Sequence, residues 1–350
     1  MSFLRIKFYR WFNRVFGLEI LHTVKSQRKN IKAVAPYIHP EYLNFKAAAY
    51  EAWVKCGGQT AEAHYPIRMF HGLAFRYEMP SLWKHHKEAR LRFIEPVSIS
   101  FDTFPDYALY EVVPFVWDCW PCYFEKMCRW IKKHNVRTAI FTSSQTAERI
   151  HARFPEMNVM WCPEAVDTSL YHEGKLLKDR TIDVLEFGRG SNVNVNEDVN
   201  VNGNVNINKN GNKRLNYVCT KVDGKFIYDN DQLRAAMGDA KVTITLPRSM
   251  TQPEIAGDIE TLTQRYWENM LSRMVMVGHA PKELVNLIGY NPVIELDRDH
   301  VKEQILEILE HIDDYQELVD RNREMALSIG DWTMRMKEVM EWLKEFGYEV

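Results

Sequence analysis

The sequence predicts an α/β protein built from two parallel-sheet domains, and three observations carry that reading. Short apolar runs alternate with helical stretches from Glu95 onward, and the alternation starts afresh at Ile182. Strand, helix and strand in turn imply a parallel sheet with helices on its faces. The chain has 350 residues, long for one core and suited to two domains of ordinary size. The expected division is a first domain over 1–172, a second over 180–326 and a helical segment over 327–350.

The chain opens on FLRIKFYRWFNRVFG, a basic amphipathic helix expected over residues 1–16. Leu4, Phe8, Trp11, Phe12 and Val15 recur at helical spacing, while Lys7, Arg10 and Arg14 share another face. Residues 1–33 carry eight Lys or Arg against Glu19 alone, so this end suits an anionic membrane surface or packing on the first domain. The stretch to about residue 90 is mixed in polarity and expected to be partly helical. Apolar runs then follow at 97–101, 111–117, 138–142 and 159–161, with helices expected from Tyr123 to His134 and from Gln145 to Phe154.

In the second set, strands are expected near 182–187, 241–246, 274–278 and 293–296, with helices near 230–238, 262–272 and 281–288. Helices over Val301–Ile329 and Asp331–Phe346 close the chain, the last with an apolar stripe of Trp332, Met336, Val339, Met340 and Leu343. Residues 191–212 alternate Asn with Val. Asn and Gly disfavour strands, so this reads as a flexible low-complexity insertion, or as a lid over the neighbouring site.

The densest chemistry lies in Glu260-Thr-Leu-Thr-Gln-Arg-Tyr-Trp-Glu268. Thr261 with Gln264 has the form of a capping box and places a helix start near Leu262. The first N–H groups of a helix are unpaired and its end is partly positive, which suits a diphosphate held by Thr261, Leu262 and Thr263. Glu260 would flank that site, and Glu268 would stand about two turns along, able to accept hydrogen bonds from sugar hydroxyls.

These residues resemble a family. Glu260 and Glu268 are similar to the E-x7-E pair of group 1 glycosyltransferases with the GT-B fold, and Trp267–Met270 with Val275–Gly278 resembles the helix and strand that follow it. Pro163-Glu-Ala-Val-Asp167 with Tyr171 is similar to their P-N-G-V-D-x-x-x-F segment, where the chain passes between domains. Asp183–Arg189 resembles the first donor-domain strand, ending in Gly-Arg. Roughly residues 110–350 are covered. The chain departs from the pattern at Glu164-Ala165, where Asn-Gly is usual, and after Glu260, where Pro-Phe-Gly is missing. Lys213 is the nearest basic follower of Arg189, across the insertion.

The resemblance implies two Rossmann-like domains, with the final helix crossing back to the first. It implies transfer of a sugar from a nucleotide diphosphate to a glycan or lipid-linked acceptor, as in surface polysaccharide synthesis, with retention of configuration. Arg189 and Lys213 would hold the diphosphate, Glu268 the ribose and Glu260 the transferred sugar. No metal and no cofactor is implied, because helix dipole and basic side chains stabilise the leaving diphosphate.

Other residues carry chemistry of their own. Asp118, after a strand, is placed to meet an acceptor. Arg248 and Arg265 could each reach the donor or stay solvated, and His279-Ala-Pro-Lys282 follows a strand beside the expected nucleotide. Cys119-Trp-Pro-Cys122, between strand and helix, has the form of a thiol redox pair, which leaves a redox protein as one alternative and a non-catalytic nucleotide-binding scaffold as another. The twelve histidines form no metal-ligand pattern.

Bulk composition sets limits. With 45 basic and 47 acidic residues there is no global pull toward nucleic acid. No apolar run approaches the roughly 18 residues of a membrane span. Six irregularly spaced cysteines and no recognisable signal peptide suit reduced thiols in the cytoplasm, with membrane attachment, if any, peripheral on its inner face.

Overall fold

Two largely parallel sheets organise the chain, one in each of two units. The computed structural model describes residues 28–36, 45–63, 85–188, 204–209, 213–222, 225–226 and 228–350. Unit 1 comprises Met1–Cys162 and Arg335–Val350, and unit 2 comprises Pro163–Met334. The basic segment over 1–16 and Arg189 lie outside the described residues.

Unit 1 runs β1 (Lys29–Val34), α1 (Phe45–Lys55), β2 (Thr60–Ala61), β3 (His85–Ile94), α2 (Ile99–Thr103), α3 (Asp106–Leu109), β4 (Tyr110–Val116), α4 (Pro121–His134), β5 (Thr138–Phe141), α5 (Ser144–Arg153) and β6 (Asn158–Trp161). Its sheet has the order β15-β1-β3-β4-β5-β6, where β15 (Tyr348–Glu349) is the last strand of the chain. All of these pairs are parallel, so the inner strands are buried on both faces, as in Val113–Val116 and Ala139–Phe141.

The ten-residue β3 escaped the sequence reading because Lys87, Glu88, Arg90 and Arg92 break any apolar pattern. Its charges are met inside the fold. Arg92 Nη1 lies 3.1 Å from Asp106 Oδ2, both residues buried, and Arg90 stacks 3.7 Å over the ring of Tyr110. A buried charge is tolerated when paired and hydrogen-bonded. The run at 97–101, expected as a strand, instead enters α2. Only Ile99 is buried there, Val97 and Phe101 are exposed, and Ser98 Oγ donates to Asp102 at 2.6 Å, a local bond that competes with a strand.

Unit 2 runs β7 (Ile182–Glu186), β8 (Asn204–Lys209), β9 (Lys213–Cys219), β10 (Lys221–Val222), β11 (Lys225–Phe226), α6 (Asn230–Gly238), β12 (Ala240–Thr245), α7 (Arg248–Thr251), α8 (Pro253–Ala256), α9 (Gln264–Leu271), β13 (Val275–Gly278), α10 (Lys282–Ile288), β14 (Ile294–Glu295), α11 (Val301–Glu310) and α12 (Gln316–Ile329). Its sheet has the order β14-β13-β12-β7-β9-β8. Val184, Val242, Ile244, Val275 and Val277 fill one core cluster and Leu185 and Val218 another, as a parallel sheet buried on both faces requires. Asp229 and Gln232 form the capping box of α6.

Two expectations are corrected here. Residues 204–209 of the Asn-Val insertion form the edge strand β8, antiparallel to β9 from Asn204↔Val218 to Lys209↔Lys213. Backbone pairing with β9 supplies what the side-chain composition argued against, since strand preference depends on neighbours. Residues 163–172 and 327–334 belong to unit 2, so the domain limits at 172 and 327 both move. The reason is local: Val166 bridges Asp331, and the Trp267 indole donates to the Glu164 carbonyl at 2.7 Å. The final helix α13 (Trp332–Glu345) contributes Met336, Val339, Met340 and Leu343 to the core, and its residues from Arg335 belong to unit 1. A Cβ on Gly58 would strike Trp53 and Met340, so this contact requires glycine there.

Candidate functional site

In unit 2 the chain leaves β7 for β9 on one side and later returns to β12 on the other. The carboxyl ends of β7 and β12 therefore flank a topological switch point, the usual ligand crevice of an open α/β sheet. β7 ends in Phe187-Gly188, and Gly188 has φ +78°, in the left-handed region that favours glycine. Arg248 opens α7 after β12, with its Nε 2.9 Å from Gln252 Oε1. Lys213, expected as a diphosphate ligand, lies away from this end. It begins β9, whose Cys219 pairs with Glu186, so its backbone lies about 20 Å along the strand from the Gly188 end.

The segment Glu260–Glu268 approaches the same end. The helix α9 starts at Gln264 with Thr263 as N-cap, and the Thr263 side chain makes no capping bond. The expected Thr261–Gln264 capping box does not form, because Thr261 and Leu262 are buried and Leu262 joins a core cluster. Two carboxylates meet this segment instead, one at Gln264 in the first turn and one at Leu262 just before the helix. The Leu262 N–H donates to Glu283 Oε2 at 2.8 Å, and the Gln264 N–H donates to Glu164 Oε2 at 3.2 Å. Both glutamates are buried. Negative charge at a helix start is favourable, and here the protein supplies it. The amide nitrogen of Gln264 is buried and finds no acceptor among the described residues.

Around Glu268 the side chains converge. Tyr171 donates its hydroxyl to Glu268 Oε1 at 2.8 Å. Burial pushes the Glu268 carboxyl up, while the Tyr171 hydrogen bond and the charges of Arg265 and Arg234 pull it back. Burial likewise pushes the Arg265 guanidinium down, against the pull of Glu268, Tyr266 and Glu186. Arg265 lies 5.5 Å from the centroid of the Phe187 ring. A Cβ on Gly188 would come within 2.1 Å of Arg265 Nη2, so the glycine leaves the space the guanidinium occupies.

Glu260 stands on the other side of the α9 start. His279 Nε2 is 3.5 Å from Glu260 Oε1, and His279 Nδ1 is 2.9 Å from Glu295 Oε1. The loop bearing His279 is fixed by its own N–H to the Thr245 carbonyl at 3.0 Å and by the Tyr266 hydroxyl to its carbonyl at 2.7 Å. His279 was expected beside the nucleotide, whereas Tyr171, Glu164 and Glu283 carry no role at this site in the sequence alone. For Tyr171 and Glu164 a signal existed, since both fall in the Pro163–Tyr171 segment.

In unit 1, Asp118 follows β4 at φ 51°, and its carbonyl accepts the Trp120 N–H at 2.9 Å. Cys119 is buried and Cys122 exposed, both free thiols. Burial pushes the Cys119 thiol well above its ordinary range, opposite to what a redox nucleophile needs. Among the described residues, no cluster of three or more His, Cys, Asp or Glu is arranged to hold a metal ion. No described helix is long and apolar enough to cross a membrane.

The chain matches no described protein family and no curated protein. Solved structures match nearly its whole length. Sucrose-phosphate synthase from Thermosynechococcus elongatus is 12% identical, with a TM-score of 0.54 over 91% of this chain and 99% of that one. HepE from Anabaena, solved with UDP-glucose, is 11% identical, with a TM-score of 0.53 over 90% of this chain and 99% of that one. AviGT4, a glycosyltransferase involved in avilamycin A biosynthesis, is 11% identical, with a TM-score of 0.50 over 91% of this chain and 98% of that one. The fold is GT-B. In this GT-B chain, Glu260, Arg248, Thr261–Thr263, Arg265 and Glu268 all lie in unit 2 and Asp118 in unit 1.

Proposed function

We propose that this protein transfers a sugar from a nucleotide diphosphate donor to a glycan or lipid-linked acceptor. The observation that carries the reading is the pair Glu260 and Glu268 at the two ends of the α9 start, within a GT-B fold. Glu268, held by Tyr171, accepts the ribose hydroxyls, and Glu260, held by His279, meets the transferred sugar. Thr263 and Arg248 are the remaining donor contacts near that helix start, and Asp118 serves the acceptor. Rate enhancement comes from stabilising the leaving diphosphate and orienting the acceptor, without a metal and with retention of configuration. The acceptor belongs to surface polysaccharide synthesis on the cytoplasmic side, and the basic segment over 1–16 holds the protein to the anionic lipid there.

A second reading has one observation in its favour. Glu164 and Glu283 already take the Leu262 and Gln264 N–H groups that a diphosphate would use, as a non-catalytic nucleotide-binding scaffold would allow. A thermal-shift screen of nucleotide diphosphate sugars, followed by product analysis with each sugar that binds, separates the two. Transfer or slow hydrolysis of a bound sugar supports the enzyme, whereas binding without any turnover supports the scaffold.

A further inference from the structure

Arg265 combines three features that a solvated surface arginine lacks. It is half-buried, it stands over the Phe187 ring at the carboxyl end of β7, and its place exists because Gly188 has no Cβ. Among the described residues it forms no ion pair at contact distance, although Glu268 and Glu186 are near enough to influence it. A guanidinium drawn from water without a partner carboxylate is a cost to the fold unless something else meets it. The buried Gln264 amide nitrogen, one residue away, is a second donor that finds no acceptor among the described residues. Both belong to the first turn of α9, whose end is partly positive and lies beside the switch point of the sheet.

We infer that Arg265 is the cation that receives the diphosphate of a nucleoside diphosphate, with Gly188 as the clearance that admits it. The inference rests on the donor site proposed above and adds to it the residue that carries the anion. A planar fork of donors suits two phosphate oxygens, and an aromatic platform holds the fork in plane without spending its hydrogens. The arrangement also answers the occupied helix start. With the Leu262 and Gln264 N–H groups held by Glu283 and Glu164, the charge of the donor falls to a side chain.

Calorimetry with UDP, GDP and uridine tests this on the full chain. Wild type should bind a diphosphate more tightly than the nucleoside. Arg265→Gln should lower diphosphate affinity about 10- to 100-fold while leaving uridine affinity unchanged, the size expected for charge-assisted hydrogen bonds. Arg265→Lys, which keeps charge without the fork, should fall between. Gly188→Ala, if folded by circular dichroism, should behave as Arg265→Gln, because the new methyl takes the guanidinium's place. An Arg265→Gln protein that keeps the full preference for UDP over uridine overturns this inference and leaves the donor reading standing. A wild type that binds none of the three overturns both.

Discussion

Arg92 and Arg265 are two arginines drawn out of water, one in each unit, and they differ in what meets the charge. Arg92 on β3 faces Asp106 at 3.1 Å and donates to the Asp102 carbonyl, so its charge is answered within the chain. Arg265 stands over an aromatic ring and forms no ion pair among the described residues. The first arrangement specifies packing and the second leaves binding capacity. Burial alone marks neither role; the partner does.

The comparison can be broken by measuring stability. Arg92→Met leaves Asp106 buried without its cation and should cost about 3–5 kcal/mol in denaturant unfolding. Arg92→Met with Asp106→Leu should recover much of that loss, because a well-packed apolar pair removes both charges. Arg265→Met strands no carboxylate at ion-pair distance and should change stability by less than about 1 kcal/mol, in either direction. Equal losses at the two positions would mean that Arg265 is as structural as Arg92.

A smaller effect sharpens the account of Glu268. The folded carboxyl is raised by burial and held down by the Tyr171 hydrogen bond, so Tyr171→Phe should raise it further. Under the proposed function, Glu268 accepts ribose hydroxyls as the carboxylate. Nucleotide affinity should therefore fall on acidification, and in Tyr171→Phe the fall should begin at higher pH than in wild type. Superimposable affinity–pH curves would leave Tyr171 a packing residue only. The smallest effect is expected from exchanging residues 191–211 for a short Gly-Ser link. That removes β8 from the edge of the second sheet, and a modest drop in melting temperature should follow, since β9 keeps its pairing with β7. An unchanged melting temperature would show that the edge strand adds nothing.

How much of this was legible beforehand depended on whether a segment's own residues decided its structure. In the second sheet β7, β12, β13 and β14 were, their apolar residues bounded by turns, whereas β8 and β9 were not. β3 was not, since its arginines belong in a core only once Asp106 and Tyr110 arrive from later in the sequence. At the site, the spacing of Glu260 and Glu268 set an expectation, while the α9 start was misplaced by two residues. Thr261 looked like a cap, but the carboxylates of Glu164 and Glu283, 100 and 21 residues away from their partners, take the N–H groups of Gln264 and Leu262. Arg265 was ambiguous for the same reason: its standing depends on Gly188 and Phe187.

The central claim is that unit 2 binds a nucleotide diphosphate through Glu268 and acts on its sugar through Glu260. Titrating the bound nucleotide into wild type, Glu268→Gln and Glu260→Gln, with turnover measured beside it, tests that claim most directly. Glu268→Gln should weaken nucleotide affinity about tenfold with the fold unchanged, as expected for lost hydrogen bonds to a charged group, and Glu260→Gln should lower turnover while binding stays near wild type. Nucleotide affinity that is the same in all three proteins, with turnover equally unmoved, would contradict the account.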